Sequence, residues 1–347
     1  MQAYSKPALS IEQHLAQWTE RGLLIPDPER ARRYLERISY YRLSAYAIPL
    51  YRKASEHRFR DGVNFEHLLQ LYVFDRELRL LVMDAIERIE VAVRAQLTNH
   101  MAMQAEAGPF WYQDERHFKT QFPHKRLLAD LERQLDEEAQ RLRHDEQQVD
   151  KRQNLTPEQK EHVKARLRKE NFLRHYLTEY DSPRLPPSWM VMEMLTWGQL
   201  SRLYAGLRKP ADQKAIAKNL GTHAELLEAW LKTLNTVRNF CAHHSRLWNR
   251  ELGTALRLPT SSSVKWLKNP VELAAGTRHI DYKKRLYPVL VALQSLLYNI
   301  SPGSRWASKL QALLSKYPEA DKAAIGMPNN WQEDPFWSLA LNKGAQT

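Results

Sequence analysis

The chain has 347 residues, of which 43% are hydrophobic and 10% aromatic. This composition excludes an intrinsically disordered protein and allows two ordinary domains or one large helical body. The formal net charge of +12 is typical of proteins with a polyanionic partner such as nucleic acid, although many basic proteins have none. The single cysteine, Cys241, excludes a disulfide framework and fits the cytoplasm, where we expect the protein.

The sequence shows no targeting segment and no membrane span. Its N-terminal residues lack the charged and apolar regions of a secretory signal peptide. The longest weakly charged run, residues 286–304, contains Pro288, Pro302 and Gly303 and is a poor membrane span. We therefore predict a protein without a membrane partner.

Few Gly and a clustering of Pro between helical segments predict an all-α fold. Near the N-terminus, Ser10 and Gln13 form the pattern of a capping box before a short helix that stops at Gly22. Asp27 and Pro28 then predict the start of a second helix. Tyrosines alternate with arginines from here to residue 51, a pattern that favours ordinary packing over base stacking.

Residues 65–104 form the longest predicted helix, capped by Asn64 and free of Gly and Pro. As a single rod this helix would be about 60 Å long, so we expect a kink or a break within it. Glu87 and Glu90 lie on one side and offer acid–base or magnesium-binding chemistry, although charges at this spacing usually face solvent.

Residues 125–170 are dense in charge and predict two solvated helices that project as a hairpin, the second capped by Thr156. A strongly hydrophobic helix follows, capped by Ser188, and a short one spans residues 211–219. Later helices are predicted over residues 278–299, with a bend at Pro288, and from Ser304 to Tyr317, before an aromatic tail that docks onto the body. We divide the chain into an N-terminal helical region (1–124), a charged helical insertion (125–185), a region carrying the motif described next (186–300) and a C-terminal helix and tail (301–347).

The stretch from Thr222 to Gly253 has the strongest functional signal. A capping box formed by Thr222 and Glu225 predicts one helix that continues until Gly253. Apolar residues at helical spacing occupy one side, including Trp248 and Cys241, whose thiol we expect to be buried and inert. A polar stripe lies opposite, made of Asn235, Asn239, His243, Arg246 and Arg250, with Arg238 and Asn249 on its other edge. Asn is a mediocre helix former, so such a stripe points to function.

Arg238 and His243 offer the chemistry of RNA cleavage without a metal. A neutral His243 can accept a proton from a ribose 2′-OH or, once protonated, give one to the leaving 5′-oxygen. Arg238 can stabilise the charge that gathers on the phosphate. One helix supplies one such His, so a two-fold dimer that joins two motifs would complete the acid–base pair.

The same residues also fit a simpler interpretation, in which Arg238 and His243 fasten this helix to a neighbour. Five arginines in the chain are followed by a His after four to six residues, so the spacing alone decides nothing. His244 would turn toward the apolar side of a continuous helix, which favours a core or supporting role unless the helix breaks at Ala242. Zinc motifs, GxSxG and phosphate-binding loops are absent, so we predict no metal and no cofactor.

Four blocks carry a resemblance to the Abi-like abortive-infection family of the AbiD/AbiF type. They are LNTVRNFCAHHSRLWNR at 234–250, PPSWMVMEMLTWGQLSRLY at 186–204, ISYYRLSAYAIPL at 38–50 and VFDRELRLLVMDAIERIEVAVRAQLTNH at 73–100. This family resembles the HEPN superfamily of all-helical RNases, which use an R-x4–6-H motif at a dimer interface. The resemblance implies a HEPN-like helical bundle with additional helices and the charged hairpin inserted.

The resemblance further implies phage defence by a toxin-like endoribonuclease, held in check by an RNA or protein antitoxin. It assigns catalysis to Arg238, Asn239 and His243, and it invites comparison of Arg94 and His100 with a second motif that lacks the Asn. RNA-binding or supporting roles are expected for His244, Asn235, Arg246, Asn249 and Arg250. The expected partners are RNA, an antitoxin and a second copy of the chain. The alternatives are a helical module that binds RNA or an antitoxin without catalysis, and a protein-interacting scaffold with weak affinity for nucleic acid.

Overall fold

The computed structural model describes residues 3, 5, 7–53, 55–104, 108–273, 276, 277 and 279–345. This part of the chain contains 14 α-helices and six short 3₁₀ helices. Its extended pairs, such as Leu24 with Asn64, are isolated bridges. The predicted all-α fold class is therefore confirmed.

The first seven helices are α1 (Ile11–Glu20), α2 (Pro28–Ile38), α3 (Tyr40–Ala47), α4 (Phe65–Ala102), α5 (His124–Asp150), α6 (Pro157–Lys169) and α7 (Phe172–Glu179). The other seven are α8 (Ser188–Met194), α9 (Trp197–Gly206), α10 (Pro210–Asn219), α11 (Ala224–Ala242), α12 (Leu286–Ile300), α13 (Trp306–Lys316) and α14 (Pro335–Ala345).

The central element is α4, an uninterrupted helix of 38 residues that is about 57 Å long. It begins at a capping box in which Asn64 and His67 exchange side-chain hydrogen bonds with each other's amides, each at 3.1 Å. Helices α3 and α8 to α13 all pack against it, and its buried residues extend from Phe65 to Met101. The predicted break is absent because partners support the helix over its whole length.

Several predicted helix starts are confirmed. Ser10 and Gln13 form the capping box of α1, and Asp27 caps α2 with Pro28 as its first residue. Thr156 and Gln159 form the capping box of α6. These starts were predictable because each depends only on residues within one turn.

The hydrophobic segment after residue 186 differs from the prediction. Ser188 is the first residue of α8 and its buried hydroxyl has no hydrogen-bond partner among the described residues, so it does not cap the helix. The segment also forms two helices, because Thr196 and Gln199 make a capping box that starts α9. The chain turns between them at Leu195, whose backbone is extended.

The charge-dense segment, residues 125–170, forms the two predicted helices, α5 and α6. Helix α7 follows directly, and the three helices pack on one another. Some of the segment's carboxylates form ion pairs. Arg174 of α7, only 7% exposed, donates to Glu138 at 2.7 Å and to Asp145 at 2.8 Å. Arg168 likewise donates to Glu146 at 2.7 Å. The prediction of two helices is therefore confirmed, whereas part of their charge is paired with other side chains and does not simply face solvent.

The C-terminal helices begin later than predicted. Helix α12 starts at Leu286, while Arg278, the predicted start, lies outside the described residues. Pro288 falls in the first turn of α12, where a missing amide hydrogen requires no bend. Helix α13 starts at Trp306, whose amide donates to the Ser304 hydroxyl at 3.2 Å.

The aromatic tail docks onto the body as predicted, with Trp331, Phe336 and Trp337 buried. One hydrophobic cluster contains these residues together with residues as far away in the chain as Trp18, Leu131 and the buried faces of α4 and α11. All four predicted regions contribute to this cluster. The division of the chain into four regions stays a prediction.

Candidate active site

Helix α11 is amphipathic, and its apolar side is buried against α4, α9, α10 and α12. The buried residues on this side are Leu226, Leu227, Trp230, Leu231, Leu234, Val237 and Cys241. Burial raises the pKa of the Cys241 thiol to about 12, so the thiol is protonated at neutral pH. The expected burial of this cysteine is confirmed, and the raised pKa agrees with an inert thiol.

The predicted capping box at the start of α11 is absent. His223 is the residue that precedes the helix, and no side chain in the described part of the chain caps it. Thr222 instead completes the end of α10, where its amide donates to the Ala217 carbonyl at 3.0 Å. Gly221 makes this turn possible with a φ of +75°, and a Cβ at this position would collide with the Asn299 side chain.

Helix α11 ends at Ala242, eleven residues before the predicted end at Gly253. His243 is the C-cap and His244 adopts the left-handed conformation, with a φ of +56°. The Ser245 amide donates to the Phe240 carbonyl at 2.8 Å and the His244 amide to the Cys241 carbonyl at 3.0 Å. These two bonds define a Schellman motif, the usual end of an α-helix, with His in the position that Gly normally occupies.

The early end of α11 divides the predicted polar stripe into two parts. Asn235, Arg238 and Asn239 lie on the helix and His243 lies at its C-cap. Arg246, Asn249 and Arg250 lie in the following loop, so they do not continue the stripe. Trp248 is buried as predicted, but it reaches the core from this loop and donates through Nε1 to the Asp321 carbonyl at 3.1 Å.

Arg238 and His243 are accessible to a ligand. His243 is exposed, and its ring has no hydrogen-bond partner among the described residues. Arg238 is half-buried and donates through Nη1 to Asn239 Oδ1 at 3.4 Å. Five residues separate them along α11, which on a regular helix is about 7.5 Å along the axis and a rotation of about 140° around it.

The arginines of the loop make contacts within the protein. Arg246 donates to the Ala45 carbonyl of α3, and burial lowers the pKa of its guanidinium. Arg250 lies over the Phe240 ring at 4.2 Å and donates to the Arg246 carbonyl at 2.8 Å. The loop therefore folds back against α11, and Asn249 turns it with a φ of +52°.

Two other predicted site residues lie beside this helix. His244 is exposed, so the predicted core position of its side chain is wrong. That prediction excepted a break of the helix at Ala242, and α11 does end there. The His244 carbonyl accepts a hydrogen bond from Arg42 of α3 at 2.5 Å. Asn235 is half-buried and lies close to Gly198. A Cβ added to Gly198 would lie 3.7 Å from both Oδ1 and Nδ2 of Asn235.

Asp75 of α4 is the residue that holds the loop after α11 in place. Its carboxylate is fully buried and accepts from the Leu247 amide at 3.0 Å and the Trp248 amide at 2.6 Å. It also accepts from the Tyr46 hydroxyl at 2.6 Å and forms an ion pair with Arg79. We call these three side chains, Asp75, Arg79 and Tyr46, the Asp75 cluster.

The Asp75 cluster also reaches the end of α11, because Arg79 Nη1 lies 3.4 Å from the Ser245 carbonyl. Burial raises the pKa of Asp75, while the positive charge of Arg79 and the hydrogen bonds oppose this rise. Sequence inspection missed these residues. An Asp and an Arg four residues apart on the apolar side of a helix are the signal that could have revealed them.

Arg94 and His100 make contacts between α4 and neighbouring elements. Arg94 pairs with Glu90 and donates to the Leu195 carbonyl at 2.8 Å. His100 Nε2 lies 2.9 Å from the Asp212 carboxylate of α10. The two side chains thus contact different parts of the molecule. Among the described residues, no group of three or more His, Cys, Asp or Glu side chains is arranged to hold a metal ion.

The left-handed turn at His244 leads to a stability prediction. Substitution His244→Gly should keep or raise the thermal unfolding midpoint, whereas His244→Val should destabilise the fold by about 1–2 kcal/mol, because a β-branched residue is strained at positive φ. Thermal denaturation of both variants followed by circular dichroism measures the difference.

Lys232 provides a matched control for this comparison, since it is exposed in the middle of α11. There Val should be favoured over Gly, because Gly costs more backbone entropy in a helix interior. The Gly variant should therefore be more stable than the Val variant at position 244 and less stable than it at position 232. The same order at both positions would contradict the Schellman motif at His244.

The fold and site define an all-helical protein with an accessible Arg and His at the end of one amphipathic helix. The chain belongs to the Abi-like protein family, whose model matches residues 33–249. This family indicates a role in abortive infection, a form of phage defence. No match was found among curated proteins or among solved structures. None of the described helices combines the length and apolar character needed to cross a bilayer.

Proposed function

We propose that this protein is a metal-independent endoribonuclease of the HEPN type that acts in phage defence. The observation that carries the proposal is that α11 ends at an exposed His243, five residues after a partly exposed Arg238. Arg246 and Arg250 are bound within the protein, which leaves Arg238 as the arginine of this segment that is available to a phosphate.

The proposed reaction is an internal transesterification. A neutral His243 accepts the proton of a ribose 2′-OH, and the 2′-oxygen attacks the adjacent phosphorus. The bond from phosphorus to the 5′-oxygen breaks, leaving a 2′,3′-cyclic phosphate and a 5′-oxygen that takes a proton from a second, protonated imidazole. Arg238 stabilises the extra negative charge on the phosphate in the transition state.

A second copy of the chain is the proposed source of the second imidazole, because one copy presents one His243. Asn239 supports the site by accepting from the Arg238 guanidinium. We further propose that RNA is the substrate, consistent with the net charge of +12, and that an RNA or protein antitoxin controls the activity in the cell.

Incubation of the purified protein with single-stranded RNA in excess EDTA tests the chemistry. We expect fragments that end in a 2′,3′-cyclic phosphate and begin with a 5′-hydroxyl, because the mechanism uses the neighbouring 2′-oxygen and no metal. A substrate with a 2′-deoxy residue at the cleavage position should remain intact. RNA that stays intact in EDTA but is cut when magnesium is added would overturn the metal-independent mechanism.

The cellular test compares growth arrest and RNA integrity in cells that express the wild type, Arg238→Ala or His243→Ala. Loss of both effects in the two variants supports the nuclease. A phenotype that survives both substitutions would instead support a module that binds RNA or an antitoxin without catalysis.

A further inference from the structure

A cleft of about 670 Å³ lies at the opposite end of α11 from His243. It is bounded by the first turn of α11, the C-terminal half of α10 and residues 257–264. The cleft shares no residue with the candidate active site. Helix α11 has 19 residues and a length of about 28 Å, so the two sites are well separated.

The floor of the cleft presents the positive end of a long helix. The first backbone amides of an α-helix have no partner within the helix, and the first residues of α11, Ala224, Glu225 and Leu226, line this cleft. No described side chain caps these amides: His223 supplies no capping bond, and its ring instead lies 3.0 Å from the Ser263 hydroxyl. Free amides and the helix dipole together favour an anion at this point.

Thr222 provides an independent sign of a missing ligand. It lines the cleft, is only 5% exposed, and its hydroxyl has no hydrogen-bond partner among the described residues. A buried hydroxyl without a partner is costly, and native structures rarely leave one unsatisfied. The hydroxyl oxygen is closed to solvent in this structure, so an acceptor bound in the cleft would satisfy it once the side chain turned toward the cleft.

The charged side chains of the cleft also favour an anion. Lys214 and Lys218 are exposed, lie four residues apart on the same side of α10 and have no ion-pair partner in the described part of the chain. The carboxylate in the cleft, Glu225, is paired with Arg257 at 2.7 Å. The two lysines are therefore left with uncompensated positive charge.

We propose that this cleft binds a phosphate monoester the size of a mononucleotide. The phosphate would lie against the first amides of α11, between Lys214 and Lys218, and would accept a hydrogen bond from Thr222. Leu258, Pro259 and Val264 form an apolar wall for the remainder of the molecule. The volume falls in the range of small-molecule sites. This proposal does not depend on RNA cleavage.

Isothermal titration calorimetry of the full chain with AMP, inorganic phosphate and adenosine tests the proposal. We expect one AMP per chain, weaker binding of inorganic phosphate that competes with AMP, and no binding of adenosine, because the phosphate provides the main contacts. Absence of saturable AMP binding up to about 10 mM would overturn the proposal. Equal affinity for adenosine and AMP would also overturn it.

Variants then locate the site. The double substitution Lys214→Gln with Lys218→Gln should weaken AMP binding by roughly 10-fold to 100-fold, and Thr222→Val should weaken it several-fold. The matched control removes two other exposed lysines, Lys125→Gln with Lys309→Gln, and should bind as the wild type does. Arg238→Ala should also bind AMP normally. Binding that is lost in Arg238→Ala but kept in the Lys214 and Lys218 variant would overturn the proposal.

Discussion

Substitution His243→Ala should lower the rate of RNA cleavage by a factor of about 10²–10⁴ without unfolding the protein. The loss is expected because the imidazole carries the proton in the proposed reaction. Stability should be preserved because His243 is exposed and its ring has no partner among the described residues. The His243 backbone N–H donates a hydrogen bond to the Asn239 carbonyl at 3.0 Å, and an alanine at this position can make the same bond. Initial rates of cleavage and thermal unfolding midpoints measure the two effects.

His162→Ala is the matched control, because His162 is exposed on α6 in the charged segment, distant in sequence from α11. This variant should cleave RNA at the wild-type rate. Arg238→Ala should lose activity to a similar degree as His243→Ala, and the double variant should be little worse than either single variant if the two groups act as a unit. Arg238→Lys should recover only part of the activity, since Lys keeps the charge but loses the planar fork.

The rates and unfolding midpoints of these variants also distinguish a catalytic role of Arg238 and His243 from a structural one, in which they fasten α11 to a neighbouring element. If His243 fastens α11 to a neighbour, His243→Ala should lower the unfolding midpoint and leave the cleavage rate per folded molecule unchanged. Unchanged cleavage by folded His243→Ala would contradict the proposed chemistry. A preserved fold with lost cleavage is the outcome that the exposure of His243 leads us to expect.

Much of the helical framework was predictable because its signals are local. The run from Asn64 to Ala102 has a cap, no Gly or Pro and a continuous apolar side, and it forms a single helix. The predicted break does not occur because seven helices pack around α4 and support it, and their packing cannot be inferred from the length of the run. The capped starts of α1, α2 and α6 needed no more than one turn of sequence.

The end of α11 was not predictable in the same way. Helix ends are recognised by Gly or Asn in the left-handed position, and here His244 occupies it. What fixes this turn lies far away in the chain: Arg42 binds the His244 carbonyl and Asp75 binds the amides of Leu247 and Trp248. The start of α11 was also mispredicted, because Thr222 fits a capping box locally but is used to end α10. Arg238 and His243 were nevertheless identified, since their chemistry does not depend on where the helix ends.

Substitution Asp75→Ala should lower the free energy of unfolding by about 3–5 kcal/mol, the cost of breaking a buried ion pair by removing one partner. Alanine would leave the buried Arg79 guanidinium without its carboxylate, and the amides of Leu247 and Trp248 without their acceptor. Urea denaturation measures the change. The free energy of unfolding of Asp75→Asn should lie between those of the wild type and Asp75→Ala. The Asn amide oxygen can still accept a hydrogen bond, but the negative charge that neutralises Arg79 is lost.

Two further variants test whether the Asp75 cluster is the cause. Glu87→Ala removes an exposed carboxylate from the same helix and should change stability by no more than about 0.5 kcal/mol. The double variant Asp75→Ala with Arg79→Ala should be less destabilised than the sum of the two single variants, because it removes both members of the buried pair. An Asp75→Ala variant within about 1 kcal/mol of the wild type would contradict the role given to this cluster.

The Asp75 and His243 variants should have opposite profiles, since one residue positions the site and the other reacts. Asp75→Ala should lose stability, and its cleavage rate should fall because the loop no longer holds the end of α11. Raising stability by other means, such as a stabilising osmolyte, should return part of that activity by restoring the folded loop. The same osmolyte should return no activity to His243→Ala, whose fold is already intact. Rescue of both variants, or of neither, would contradict the separation between a residue that holds the site and one that transfers the proton.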